Sequence, residues 1–297
     1  MIVLVAGATA WLAGHLIPRL VAAGHTVYAA GHDLARLRLL AGARPIHWDL
    51  ARPETPQDLP DRIDAAIYVA QANVPIPDQA ITMFEVNAAS VVRALDYARR
   101  AGAQRFVFTS SGSVYGGRDR PLREDDSLAA KDFYSATKIA AERAVEAFSP
   151  YLGTTVLRLF APYGPAQTGR LIPGLINRVR TGQPATLKQG RGPRFNPIYA
   201  DHVVDVVAQS LNSAGHHLLN VGGDEALSVR DMAETIGRVL GREPVFQDQP
   251  GEIGGDVVGD TTYLRQTFRL PDRLITFEQG VRRILVEGEK TGRGTAL

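Results

Sequence analysis

The sequence predicts an α/β protein built on a doubly wound parallel sheet, and three observations carry that. Short apolar runs alternate with longer amphipathic stretches up to about Phe160, the rhythm of βαβ units. The first apolar run ends directly in a glycine turn that opens a helix. A chain of 297 residues, 45% hydrophobic and 22% charged, has globular composition and length enough to bury a core without staples.

Ile2 to Ala6 reads as a buried strand, followed by a helix from about Ala13 to Ala23 that Gly24 closes. Thr26 to Ala30, Pro45 to Trp48 and Ala65 to Val69 are the next three strands. Residues 79–101 form one helix with Phe84, Ala88, Val91, Leu95 and Ala98 on its apolar face, closed by Gly102. Arg105 to Thr109 is the fifth strand, residues 134–148 a further helix, and Thr154 to Leu159 the sixth strand. After Phe160 the rhythm changes. Residues 161–197 are rich in Gly, Pro and Arg, with one helix at 171–181. Asp201 caps a helix to Leu211, and His217 to Val221 is another strand. Ser228 caps a helix to Leu240, which Gly241 ends. The polar stretch 288–297 reads as a flexible tail.

Composition excludes several classes. With no cysteine there is no disulfide scaffold, cysteine nucleophile or thiolate metal site. His216 and His217 have no partner at ligand spacing, so no metal is expected. The net charge is +2 with no long run of like charge, which gives no reason to expect a nucleic acid or an anionic membrane as partner. No targeting segment stands out, and no stretch reaches the ~18 apolar residues of a membrane helix. The expectation is a cytoplasmic protein.

The chemistry is concentrated in the middle of the chain. Tyr134-Ser135-Ala136-Thr137-Lys138 is a YxxxK pattern, which on a helix puts both side chains on one face. A phenol with a pKa of about 10 is a poor acid–base group at neutral pH, and an ammonium one turn away favours its phenolate. Such a tyrosine can pass a proton to or from a carbonyl oxygen while a nicotinamide exchanges hydride with the carbon. Upstream lies Phe106-Val107-Phe108-Thr109-Ser110-Ser111-Gly112-Ser113-Val114-Tyr115-Gly116, with Ser111 23 positions before Tyr134. This segment resembles the FxxSSSxxVYG of the extended short-chain dehydrogenases, the NAD(P)-dependent epimerase/dehydratase family. The resemblance makes Ser111 the hydroxyl that polarises the substrate oxygen, with Ser113 beside it. Asn87 matches the helix asparagine that supports the lysine through water; a helix-face Asn can also merely cap a loop.

The resemblance extends over nearly the whole chain. Leu157-Arg158-Leu159-Phe160-Ala161-Pro162-Tyr163-Gly164-Pro165 is similar to LRxxNVYGP, with Ala161 replacing Asn. Pro197-Ile198-Tyr199-Ala200-Asp201-His202 is similar to FVYVDD, and Asn220-Val221-Gly222-Gly223 to NVGGG. It implies a Rossmann-type NAD(P)-binding domain at residues 1–160. A smaller C-terminal substrate domain follows at 161–287, with about 197–222 returning to the first. It also implies a homodimer formed through helices 79–100 and 134–148.

The first turn, Gly7-Ala8-Thr9-Ala10-Trp11-Leu12-Ala13, follows a strand and opens a helix, the context in which a helix N-terminus holds a phosphate. It resembles the family's GxxGxxG, as in GATGFIGSHL against GATAWLAGHL. Of the three glycines only Gly7 remains. Ala13 is a small replacement, whereas the Ala10 methyl narrows the approach of a pyrophosphate. The pattern also fits a plain alanine-rich strand-to-helix turn. On the resemblance, Gly7, Thr9, Ala10, Trp11, Leu12, His32, Asp49, Leu50, Tyr134 and Lys138 bind the cofactor. Gly31 stands where NAD-preferring members carry an acid. With His32, Arg36 and Arg38 nearby the reading leans to NADP, and Asp33 argues the other way. Asp49 also reads as a turn cap.

Dehydratase relatives carry an Asp-Glu pair after the catalytic hydroxyl. Gly112 and Ser113 stand there, which leaves epimerisation, ketone reduction or alcohol oxidation. The expected function is hydride transfer at a secondary alcohol or ketone carbon of a sugar or sugar nucleotide. Nucleotide-sugar relatives hold the diphosphate with two arginines, and Phe195 and Ile253 occupy those places. Arg194 or Arg191 could substitute for the first, and Arg265 for the second, though Arg265 reads equally as a solvated surface charge. The missing arginines keep a non-sugar ketone or alcohol open as substrate, and the degraded glycine turn keeps open a non-catalytic dinucleotide sensor. Glu142, one turn past Lys138, reads as a helix-face pair, and Glu124-Asp125-Asp126 as a solvated turn.

Overall fold

The computed structural model describes residues 1–290, and the chain divides into two compact units. The first comprises Met1–Val114, Ser127–Arg158 and Val204–Leu219; the second comprises Tyr115–Asp126, Leu159–Val203 and the chain from Asn220 onward. The excursion of residues 115–126 out of the first unit has no counterpart in the division read from the sequence.

The first unit is built on a seven-stranded sheet of β1 (Ile2–Ala6), β2 (Thr26–Gly31), β3 (Ala43–His47), β4 (Ala65–Tyr68), β5 (Arg105–Ser111), β6 (Gly153–Leu159) and β7 (His216–Val221). Their order across the sheet is β7-β6-β5-β4-β1-β2-β3. The pairings β1–β2, β1–β4, β2–β3 and β4–β5 are parallel. Parallel strands are covered on both faces and so carry unbroken apolar runs; Val3 to Val5 and all of Ala65–Tyr68 are buried. Between β1 and β4 the order reverses, and a doubly wound sheet opens its ligand crevice at that point. The third strand lies earlier than expected, at Ala43–His47; the Trp48 amide still donates to the Gly31 carbonyl at 2.9 Å, and its side chain is buried in the same core as Leu4 and Tyr68.

Helix α1 (Trp11–Ala22) follows β1, and the short α2 (Leu34–Leu37) follows β2. The single helix expected at 79–101 is interrupted. It consists of α3 (Ala80–Phe84), a π-turn at Glu85–Ala89 and α4 (Ser90–Arg100). The extra residue in the π-turn rotates the preceding turn about the axis. Met83 is therefore buried, while Phe84, expected on the apolar face, is 46% exposed. The turn has side-chain support, because the Val86 carbonyl accepts from the Tyr68 hydroxyl at 2.6 Å and from Ser90 Oγ at 3.0 Å. Burial pushes the Tyr68 pKa up and keeps that hydroxyl a donor. Helix α5 (Phe133–Phe148) begins in a capping box in which Asp132 accepts from the Ser135 amide at 2.7 Å.

The second unit has its own core, in which helices Leu171–Thr181, Val229–Leu240 and Phe277–Lys290 bury Ile176, Met232, Ile236 and Val281 with Tyr163 and Phe277. Ser228 caps the second of these in a capping box with Asp231, and Gly241 closes it at φ +64°. Two expectations are corrected. Asp201 lies within helix Ala200–Ser210 rather than capping it. The tail read from residue 288 is helical through Lys290, because the apolar residues Val281, Ile284 and Leu285 give this stretch a core-facing side; the rest of that tail lies outside the described residues. Among the described residues no helix is long and apolar enough to cross a membrane.

Candidate active site

The turn after β1 packs tightly against the end of β4. Gly7 has φ +84°, and a Cβ there would sit 2.5 Å from the Ala70 Cβ, so only glycine fits. Ala10 is the N-cap of α1, extended at φ −67° and with no side-chain capping bond. No side chain therefore caps the first turn of this 12-residue helix, the place where a helix receives an anion. A groove of about 430 Å³ opens here, lined by Gly7, Thr9, Ala10, His32, Arg36, Asp49 and Leu50 among others. The Ala10 methyl forms part of that lining without closing it. A helix start without a side-chain cap, beside a glycine that admits no side chain, suits a pyrophosphate, so the residues present fit a dinucleotide.

Trp11, Leu12, Tyr134 and Lys138, assigned to the cofactor from the sequence, are not among the residues lining the groove. Trp11 and Leu12 are already inside the helix, where they offer backbone amides of its first turn rather than side chains. Leu12 turns into the core, and Trp11 packs edge-on against His15 with ring centroids 5.2 Å apart. Just past β1 and β2, Thr9 Oγ1 and His32 Nδ1 are 3.4 Å apart. Asp33 is spent on α2, where its side chain caps the helix by accepting from the Arg36 amide at 3.1 Å. Asp49 both lines the groove and accepts from the Ala51 amide at 3.0 Å, so it is a turn cap and a groove residue together.

The opposite wall is the loop after β4, with Ala70, Gln71 and Ala72, and Val86 from the π-turn. No motif marked it, although the sheet order would have, since β4 ends at the switch point. The Tyr134 hydroxyl donates to Gln71 Oε1 at 2.8 Å. Lys138 is fully buried; its Nζ donates to the Thr109 carbonyl at 3.0 Å and lies 4.8 Å from the centre of the Phe108 ring. Ser111 and Ser113 hold their hydroxyls 2.9 Å apart where β5 runs into the next turn. Asn87 is buried, and its amide bonds the Ala72 backbone in both directions at 2.8 Å and the Thr137 hydroxyl at 3.1 Å. The π-turn is what aims it at this loop.

Two other readings change. Glu142 is no helix-face pair. It is buried against Arg158 of β6, which donates from Nη2 to Oε2 at 2.7 Å and from Nε to both oxygens at 3.1 Å, and it also accepts from the Ser110 hydroxyl. A carboxylate on the inner face of α5 needs a cation, and β6 supplies it. Arg194, a candidate substrate ligand, is bound to Asp256, donating from Nε at 2.7 Å and from its backbone at 2.8 Å, and Arg191 reaches the same carboxylate at 3.0 Å. Glu124 and Asp126 are also engaged, accepting from the Asn220 amide and from Arg120.

The fold is that of a dinucleotide-binding protein, with a serine, tyrosine and lysine set on β5 and α5. The chain belongs to the NAD dependent epimerase/dehydratase family, whose model matches residues 3–222. It is 31% identical over 157 residues to dTDP-4-dehydro-6-deoxyglucose reductase from Escherichia coli, covering 50% of each chain, so the chain spans about half the length of that relative. It is 25% identical to UDP-glucose 4-epimerase from Neisseria meningitidis, over 85% of this chain and 86% of the relative. Among solved structures, MoeE5 in complex with UDP-glucuronic acid and NAD superposes with a TM-score of 0.83 at 24% identity, covering 98% of this chain and 100% of that one. UDP-glucose 4-epimerase from Thermus thermophilus in complex with NAD does so at 0.82 and 23%, covering 100% of both.

Proposed function

We propose that this chain is an NAD(P)-dependent enzyme that moves hydride at a secondary alcohol or ketone carbon of a sugar or sugar nucleotide, by epimerisation or net ketone reduction. The carrying observation is that the Tyr134 hydroxyl lies 2.8 Å from Gln71, a residue of the dinucleotide groove. A nicotinamide, when bound in the groove, would supply the hydride chemistry. Tyr134 moves the proton between its phenolic oxygen and the substrate oxygen, and the Lys138 ammonium one turn on favours the phenolate. Ser111 and Ser113 donate to the same substrate oxygen. Asn87 holds the loop whose Gln71 meets Tyr134, and the start of α1 takes the pyrophosphate.

NADP is the preferred cofactor in this reading. Gly31 offers no acid, Asp33 is committed to capping, and Arg36 with His32 lies on the ribose side of the groove. The names of the reductase and epimerase relatives support a nucleotide sugar as substrate. A second reading, a non-sugar ketone or alcohol, is favoured by one observation: Arg194 is held by Asp256, with Phe195 and Ile253 where relatives carry arginine. The enzyme works as a cytoplasmic homodimer. Ile81, Phe84 and Val92 leave apolar surface on helices α3 and α4 for a second copy to cover.

Replacing Tyr134 by Phe tests the reading. Turnover should fall by at least about 100-fold while cofactor affinity stays. Undiminished turnover would remove the proposed role. Mass spectrometry of the cofactor released on denaturation separates the reactions, because an epimerase retains its dinucleotide through purification and a reductase exchanges it.

A further inference from the structure

Gln71 follows β4 by a few residues and belongs to none of the sequence motifs. Its Oε1 accepts the Tyr134 hydroxyl at 2.8 Å, and its side chain lines the groove. The next peptide is fixed: the Ala72 amide and carbonyl are both bound by buried Asn87 at 2.8 Å. The carboxamide is therefore presented to the phenol from a clamped backbone.

We propose that Gln71 is a positioning residue for the Tyr134 proton: its carboxamide holds the neutral phenol through its oxygen and the phenolate through its NH2 group. The inference rests on Tyr134 being the acid–base group. A carboxamide carries an acceptor and a donor on one side chain, exchanged by rotation about its last torsion. When the phenol gives its proton to the substrate oxygen, the O–H···O bond to Gln71 is lost and an N–H···O⁻ bond replaces it; no other proton moves. The charge-assisted bond is the stronger, so Gln71 favours the phenolate, as Lys138 does from one turn away.

The other charges on elements packed against α5 are engaged. Glu85 pairs with Arg93 at 2.8 Å, Asp96 with Arg99 and Arg100, and Glu142 with Arg158. Asp132 caps α5, and Arg105 of β5 donates to the Gln104 carbonyl. Gln71 is left as a neutral group able to follow the tyrosine between its two states.

The test reads the hydroxyl itself. Near-ultraviolet phenolate absorbance is followed against pH, each protein being referenced to its own Tyr134→Phe form. The full chain is used with and without saturating NADP. Gln71→Met keeps the length and removes both polar atoms, and Gln71→Glu keeps the shape and leaves only an acceptor. The Tyr134 midpoint should rise by about one pH unit in Gln71→Met and further in Gln71→Glu, where a carboxylate opposes the phenolate. The Gln71→Met midpoint decides, because a carboxylate this close raises the midpoint whatever the carboxamide does. A Gln71→Met midpoint that coincides with the unsubstituted protein's, or that falls, overturns the proposal. Turnover separates the two readings. Coincident midpoints with intact Tyr134-dependent turnover remove only the role of Gln71. Shifted midpoints without turnover on any carbonyl or sugar remove only the enzymatic reading.

Discussion

Asn87 grips both backbone groups of one residue: its Oδ1 accepts from the Ala72 amide and its Nδ2 donates to the Ala72 carbonyl, each at 2.8 Å. The asparagine is thus bound to the groove wall, while the lysine it was expected to support bonds the Thr109 carbonyl. Asn87→Ala leaves both Ala72 groups and the Thr137 hydroxyl short of a partner, and should cost about 3 kcal/mol. Denaturant unfolding measures this. Because the same loop carries Gln71, turnover should fall as well; unchanged stability would show that the loop does not depend on Asn87.

The Glu142–Arg158 pair is buried to 6% and 3% side-chain exposure, with Ser110 on the same carboxylate. Either Glu142→Leu or Arg158→Met strands a buried charge and should cost about 3–5 kcal/mol. The double variant should recover most of that loss. Additive losses in the unfolding free energies would contradict a direct pairing.

Asp256 links stability to pH. Burial raises its pKa, but hydrogen bonds from Arg194 and Arg191 lower it more, and the net position is below the ordinary carboxylate range. A carboxylate depressed on folding stabilises the protein above its unfolded pKa of about 3.9 and loses that contribution as pH falls through the folded value. Asp256→Asn should lower the melting temperature at neutral pH and flatten its further fall in acid. Parallel melting curves across the acid range would refute the linkage.

Arg36 lies on the groove with its amide held by Asp33. Arg36→Ala should weaken NADP binding about tenfold, the loss of one charge-assisted phosphate contact. Affinity for NAD should change little. Calorimetric titration with both cofactors distinguishes this from a general loss of the site.

The strand positions were legible in the sequence because buried parallel strands are apolar throughout, as Ile2–Ala6 and Ala65–Tyr68 are. Ser111, Tyr134 and Lys138 stood out because their spacing is fixed by one strand end and one helical turn. The π-turn was not legible. One inserted residue leaves the spacing of Ala88, Val91 and Leu95 intact, and only Met83 and Phe84 exchange sides. Nor could the partners of Arg194 and Glu142 be read. Asp256 lies 62 residues from Arg194, and Arg158 is brought to Glu142 by strand order rather than by sequence neighbourhood. Asp33 looked like a ribose ligand because a carboxylate just past a strand serves equally well as a helix cap.

At Gly31 a Cβ would come within 3.1 Å of the Thr9 Cγ2, so an acid installed there requires the threonine branch to give by a few tenths of an ångström. A redesign that places a carboxylate at this strand end therefore has two residues to adjust, and pairing it with a smaller side chain at position 9 relieves that contact.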